Sequence, residues 1–428
     1  MNTLPVNYAV HGYKLSIVNI DSDNVYIGSF IHNGGMHEST KLCGINHLLE
    51  HVLTDAWTKC NDESCFTYWN KYPVSLNAAT STTFVKYYIN GLRKYLPSML
   101  EYMVDIIINP VITEKNIHHE KEIILNELKG YIDSPNNLLL HKMNQVLYNK
   151  QGIINSSDYR LHIDNLRHIT PTVIMNYYKR KYLPNNIVFY VVGKFDEPNI
   201  LQIKNMFQSL VRKKTPTNKT EKPVYFTNVF TNVSRIVYHK NSSAENTSFF
   251  ITIPIILSYS QLNALDILSS IMQTRLFDLL RIQKKLVYDV FVDSDNYYYG
   301  SELSIYGSCL DSNIKMVLTE ILLWLQNFTI LQITQTELNV TKGKNTLKLN
   351  DTKITPELIC DFYQEHQHLQ TGVARKKLNT YNENIQQIHN LKPSDLQKIQ
   401  KYINIKNAVI GYTSKQSANI QLSSIVPK

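Results

Sequence analysis

Residues 44–51 read G-I-N-H-L-L-E-H. Histidines four apart share one face of a helix, so His47 and His51 can present both imidazoles to one cation. Glu50 lies three residues after His47 and next to His51, placed to reach a metal-activated water without being a ligand itself. A catalytic zinc needs at least one further protein ligand and one open position. The stretch H-E-K-E-I-I-L-N-E-L supplies candidates: Glu120 and Glu127 are two helical turns apart and so share a face. Blander readings compete. In a chain with 14 histidines, H-x-x-E-H arises by chance in roughly a few per cent of cases. A histidine beside Leu48 and Leu49 is commonly a hydrogen-bonded core residue, and a spaced glutamate pair is commonly a solvated face. His118 and His119 are neighbours that point to different faces and read as surface residues.

These side chains need elements to hold them. Strand-like runs cover 13–20, 25–31 and 187–192, then 236–239 and 248–256; helix-like runs cover 44–53, 95–108 and 113–131. The basic, Thr/Pro-rich stretch 211–225 reads as a linker. It divides the chain into 1–210, carrying the candidate site, and 226–428. Strands followed by long helices in each half predict α+β domains. The halves read as copies: L-P-S-M-L-E-Y-M-V-D-I-I-I-N-P leads into V-I-T-E-K, and I-K-M-V-L-T-E-I-L-L-W-L-Q-N-F leads into Q-I-T-Q-T-E. Aligning Thr113 with Thr334 sets Glu120 against Thr341 and Glu127 against Lys348. The second half has no H-x-x-E-H; the counterpart of that helix is Q-L-N-A-L-D-I-L-S-S.

Composition narrows the class. With 428 residues, 43% hydrophobic and 18% charged, the chain can bury two cores, and no apolar run is long enough to span a bilayer. The N-terminus has neither a secretory nor a transit pattern, which predicts a cytoplasmic protein. The net charge of +9 is spread rather than gathered with aromatics, arguing against nucleic-acid binding. Abundant Lys, Asn, Ile and Tyr suit an AT-rich coding sequence, as in a large DNA virus or an AT-rich unicellular organism. Five scattered cysteines are expected to be reduced thiols, with Cys60 and Cys65 two plain loop cysteines rather than zinc ligands.

At these residues the sequence resembles the pitrilysin–insulinase family of zinc metallopeptidases, whose helix carries H-x-x-E-H. Residues 52–126, 75 of them, separate His51 from Glu127, matching the family's distance to its E-(x)6-E helix. Asn77-Ala78-Ala79-Thr80 matches the family's N-A-x-T edge strand, with Tyr87 at its aromatic position. Tyr182-Leu183-Pro184-Asn185-Asn186 matches Y-x-P-x-N, and Arg281 with Tyr288 matches R-(x)6-Y. Departures are V-L-T-D-A-W-T-K where the family has F-x-G-T/S, Y-P-V-S-L before N-A-x-T, and Val287 before the tyrosine.

The resemblance implies two duplicated domains, each a mostly antiparallel sheet covered by helices, closing as a clamshell. It implies one Zn²⁺ per chain on His47, His51 and Glu127 with water as fourth ligand, Glu50 as catalytic base, and Glu120 orienting a ligand or supporting that base. A peptide substrate would add as a strand at Asn77, Ala78, Ala79 and Thr80, with Arg281 and Tyr288 reaching it from the second domain. The length is that of two-domain members such as mitochondrial processing peptidase subunits, which implies a homodimer or a heterodimer with a related subunit. The alternative is a catalytically inactive family member with a structural or substrate-presenting role; the retained His47, Glu50, His51 and Glu127 favour a metalloendopeptidase.

Overall fold

The computed structural model describes residues 4–60, 63–211, 224–242, 245–351, 354–370, 378–418 and 420, with the side chains of 346–351 excepted. The predicted linker 211–225 falls almost wholly outside them.

The described residues form two sheets of matching design. The first is built from β1 (Val6–Val10), β2 (Tyr13–Asn19), β3 (Asn24–Ile31), β4 (Val74–Thr80), β5 (Val85–Leu92) and β6 (Ile187–Gly193), in the order β1-β2-β6-β3-β5-β4. The second contains β7 (Arg235–Lys240), β8 (Asn246–Ile255), β9 (Val287–Tyr297), β10 (Gly300–Leu310) and β11 (Val409–Ser414), in the order β7-β11-β8-β10-β9. Dropping β1 makes the two orders coincide, and each sheet has its single parallel pair at the same place, β2 with β6 and β7 with β11. The remaining pairings are antiparallel. The mostly antiparallel, duplicated α+β architecture read from the sequence is therefore what the chain adopts.

Helices pack on one face of each sheet. In the first half these include α1 (Ile45–Thr54), α2 (Cys65–Trp69), α3 (Leu96–Ile108) and α4 (Glu114–Ile132). Thr113 caps α4 by accepting the Asn116 N–H at 3.1 Å, and Thr334 does the same for Glu337 at 3.2 Å, so the aligned Ile-Thr pairs open equivalent helices. The helix Leu262–Phe277 lies along β9 as α1 lies along β4. At the position of Glu120 the second half has Thr341, equally buried at 6% exposure.

The opposite sheet faces are covered by exchanged helices. Helix α5 (Pro135–Leu147), from the first half, lies on β7 and β11 of the second sheet. The helix Pro356–Leu369, from the second half, lies on β3 and β6 of the first, where Ile359, Cys360 and Tyr363 pack against Tyr26, Val188 and Tyr190. This explains why β6 is buried at every residue: Phe189 and Val191 face one core, Val188, Tyr190 and Val192 the other. The close approach uses glycine on both sheets. A Cβ at Gly411 would lie 2.2 Å from Met143 Sδ of α5, and one at Gly28 would lie 2.9 Å from Gln364 Nε2. Among the described residues no helix is long and apolar enough to cross a membrane.

Candidate metal centre

Helix α1 is amphipathic in the required sense. Ile45, Leu48, Leu49, Val52 and Leu53 are buried, which turns His47, Glu50 and His51 to the other face. Its N-terminus is fixed by a residue that the sequence reading did not single out. Glu38 is buried and accepts the N–H groups of Gly44 and Asn46, both at 2.8 Å, satisfying donors that a helix start leaves open. Burial pushes its carboxyl up to about 7 in spite of those bonds. Glu38 is six residues from the helix, and no recurring motif spacing announces it.

Helix α4 crosses α1 and brings the carboxylates. His47 Nε2 and His51 Nε2 lie 3.6 Å and 3.8 Å from Glu127 Oε2, and one donor atom from each residue lies within 4.8 Å of the others. Tetrahedral zinc with bonds of about 2.1 Å sets its ligand atoms about 3.4 Å apart, so this donor set fits such an ion with little adjustment. Among the described residues this is the only group of three or more His, Cys, Asp or Glu side chains so arranged.

The surroundings tune each donor. Glu120, buried at 6% exposure, holds Oε2 3.0 Å from His51 Nδ1. With Nδ1–H donated to that carboxylate, the lone pair of His51 is on Nε2, facing Glu127. Burial and then the neighbouring His51 push His47 down to about 4, so its imidazole is neutral, the ligating form. Burial alone would lower His51, but the Glu120 hydrogen bond and the charges of Glu50 and Glu127 outweigh it and raise its pKa. Glu50 is raised by burial, a shift moderated by Thr80, whose hydroxyl donates to Glu50 Oε2 at 2.8 Å.

Thr80 ends β4, the outer strand of the first sheet, so the predicted N-A-x-T strand does lie at an edge beside the base. Asn77 and Ala78 line a cavity of about 460 Å³ together with Glu50, His51 and Glu127; Ala79 is exposed and does not line it. Tyr87 and Tyr182, from two separate motifs, meet hydroxyl to hydroxyl at 3.0 Å in the core behind the site. Arg281 and Tyr288 are brought together at the second sheet's edge strand, where Arg281 Nη1 donates to the Val287 carbonyl at 2.9 Å; neither lines the metal-side cavity. His118 and His119 are exposed, as read, but His119 borders the cavity; the stripe His119, Ile123, Glu127 at four-residue spacing was the available signal.

One expectation is corrected. Cys60 and Cys65 are not separate thiols but a disulfide with Cα atoms 5.2 Å apart. The turn Thr58–Cys60 and the start of α2 fold back on each other, and Asp55 Oδ1 accepts the Cys65 N–H at 2.7 Å, which sets both buried side chains next to each other. Cys43, Cys309 and Cys360 are buried free thiols.

Comparison with solved structures bears on the fold. A protease from Helicobacter pylori superposes with a TM-score of 0.79 over 97% of this chain and 100% of its own, at 18% identity, and so shares the fold. The family follows from the sequence. Residues 15–157 match the insulinase (peptidase family M16) domain and residues 168–345 the peptidase M16 inactive domain: the chain belongs to the M16 family. A Bacillus subtilis relative called uncharacterized zinc protease YmxG is 22% identical over 382 residues, 82% of this chain and 90% of its own length. Core protein I of the Euglena gracilis ubiquinol-cytochrome-c reductase complex is 24% identical over 36% of this chain and 30% of its own.

Proposed function

We propose that the protein is a zinc metalloendopeptidase that cleaves peptides or unfolded polypeptide segments, with residues 1–210 as the catalytic domain and 226–428 as a related domain without a metal site. The observation that carries this is the junction of α1 and α4, where two imidazoles and a carboxylate converge while a second carboxylate fixes the tautomer of His51. His47, His51 and Glu127 would hold the metal, which when bound lowers the pKa of a water and polarises the scissile carbonyl. Glu50, a carboxylate beside the donor set, would serve as the base that accepts a proton from the attacking water and returns it to the leaving amine. Thr80 holds the Glu50 carboxylate by a hydrogen bond, and Glu120 keeps the metal-facing nitrogen of His51 unprotonated. The free edge of β4 offers main-chain groups to an extended peptide, so binding demands strand geometry more than sequence.

The test is metal analysis and peptide digestion of purified protein. Stoichiometric zinc that is lost in Glu127→Gln, with cleavage abolished in Glu50→Gln, is the expected outcome. Zinc-free protein that cleaves no peptide overturns the proposal. The likeness to a respiratory-complex core protein favours a second reading, an inactive structural or presenting subunit of a heterodimer. That reading leaves the intact donor set and its buried carboxylate support without a purpose.

A further inference from the structure

The duplicated halves differ at one connection. In the first, residues 32–44 join β3 to α1, and the Gly35 and Met36 N–H groups donate to the Ser81 and Thr82 carbonyls at 3.0 and 2.9 Å, so this loop packs onto the β4–β5 turn. In the second, the shorter stretch 256–261 joins β8 to the helix Leu262–Phe277. Between that stretch and the β9–β10 turn lies a cavity of about 360 Å³, also lined by Leu369 and Gln370 at the end of the helix that covers the first sheet. The shorter connection leaves open what the longer one fills.

The cavity has its own chemistry. None of the described residues lining it is charged, so an ion entering would lose hydration without meeting a counter-charge. Tyr297 and Tyr299 stack 4.9 Å apart and Tyr298 meets Tyr299 edge-on, which gathers aromatic surface on one wall. Ile256, also lining the cavity, is 62% exposed. Polar capacity is concentrated at one place. Burial pushes the Tyr259 phenol up to about 12, and the neighbouring Gln370 side chain moderates the rise. Yet the Tyr259 hydroxyl and the Gln370 amide nitrogen are both shielded from solvent, and neither closes a hydrogen bond among the described residues. Buried donors left open are costly, and one acceptor oxygen between these two serves both. Apolar walls with a few convergent polar groups are the make-up of a ligand pocket. We propose that this cavity binds an uncharged aromatic ring carrying a carbonyl or hydroxyl oxygen. The ring lies against the tyrosines of the turn, and the oxygen accepts from Tyr259 and Gln370. The site is separate from the metal donors and does not rest on the peptidase reading.

The test uses three probes of similar size, benzamide, benzoate and cyclohexanecarboxamide, titrated onto the full-length protein and followed by saturation-transfer NMR. Benzamide should bind, with benzoate at least about tenfold weaker for want of a counter-charge and cyclohexanecarboxamide weaker for want of a ring. Tyr259→Phe and Gln370→Leu should each weaken benzamide about 2- to 10-fold while thermal melts stay as in the wild type. Leu262→Trp, which fills the cavity, should abolish binding. A blocked Gly-Gly-Tyr-Gly-Gly peptide tells two sources of the ring apart. Binding as tight as that of benzamide assigns the site to a polypeptide side chain, and weaker binding assigns it to a free small molecule. Equal binding of benzamide and benzoate, benzamide binding unmoved by all three variants, or a cavity that holds only ordered water at saturating benzamide overturns the site. The comparison of probes on the wild type decides the matter even where a variant fails to fold.

Discussion

Glu120 Oε2 lies 3.0 Å from His51 Nδ1, and the other nitrogen of the same ring faces Glu127 3.8 Å away. One imidazole thus faces two carboxylates on one helix, the first within hydrogen-bond distance of Nδ1 and the second close enough to Nε2 to share a cation. Replacing Glu120 by alanine removes the acceptor but no ligand. Metal affinity should fall about 10- to 100-fold, as is usual when a group supporting a ligand is lost. Competition with a chromophoric chelator measures this; an unchanged affinity would show that Glu120 does not support the site.

Glu302 sets a pH dependence of stability. It is buried on β10 and accepts a hydrogen bond from Tyr148 at the end of α5; burial pushes its carboxyl from 4.5 up to about 7. A folded-state pKa above the unfolded one favours the neutral form in the fold. The associated stability is complete below about pH 4.5 and is lost as pH rises through 7, a change on the order of 3 kcal/mol. Thermal melts of wild type and Glu302→Gln from pH 5 to 8 should therefore diverge, with the variant losing less stability toward pH 8. Parallel curves would refute the assignment.

Gly411→Ala tests the seat of α5. The added Cβ would lie 2.2 Å from Met143 Sδ, so the thioether must move or the helix must lift, and overpacking of this kind costs about 1–3 kcal/mol. Denaturant melts should show this loss, and Met143→Ala in the same chain should recover part of it. Additive losses would indicate that the clash is relieved elsewhere.

The cysteines give a direct chemical check. Alkylation of the denatured, unreduced chain should label Cys43, Cys309 and Cys360, and reduction should add Cys60 and Cys65. Labelling of all five without reductant would show that the bridge does not form.

The metal centre was legible because its parts are coded locally. A helix period places His47 and His51 together, a second period places Glu120 and Glu127 together, and Thr113 marks where the second helix begins. The different depths of the two carboxylates agree with the proposed division of roles, since only Glu120 sits in the buried stripe with Ile117, Ile124 and Leu128. The exchange of helices was not legible. The apolar stripe Leu139, Met143, Leu147 states that α5 covers something, but nothing in it says which of two similar sheets. Glu38 and the Cys60–Cys65 bridge were missed for a related reason: both act through turns whose path depends on tertiary contacts, with no period to read.

The exchanged helices also bear on how the chain reaches this state. The outer face of β3 and β6 stays bare until residues 356–369 have been made, when most of the polypeptide has already left the ribosome. The first sheet has this face covered only when the second half supplies its helix, although the candidate donors His47, His51 and Glu127 all belong to the first half. Each sheet thus borrows part of its cover from the other half, so a cut between the halves would bare apolar surface on both.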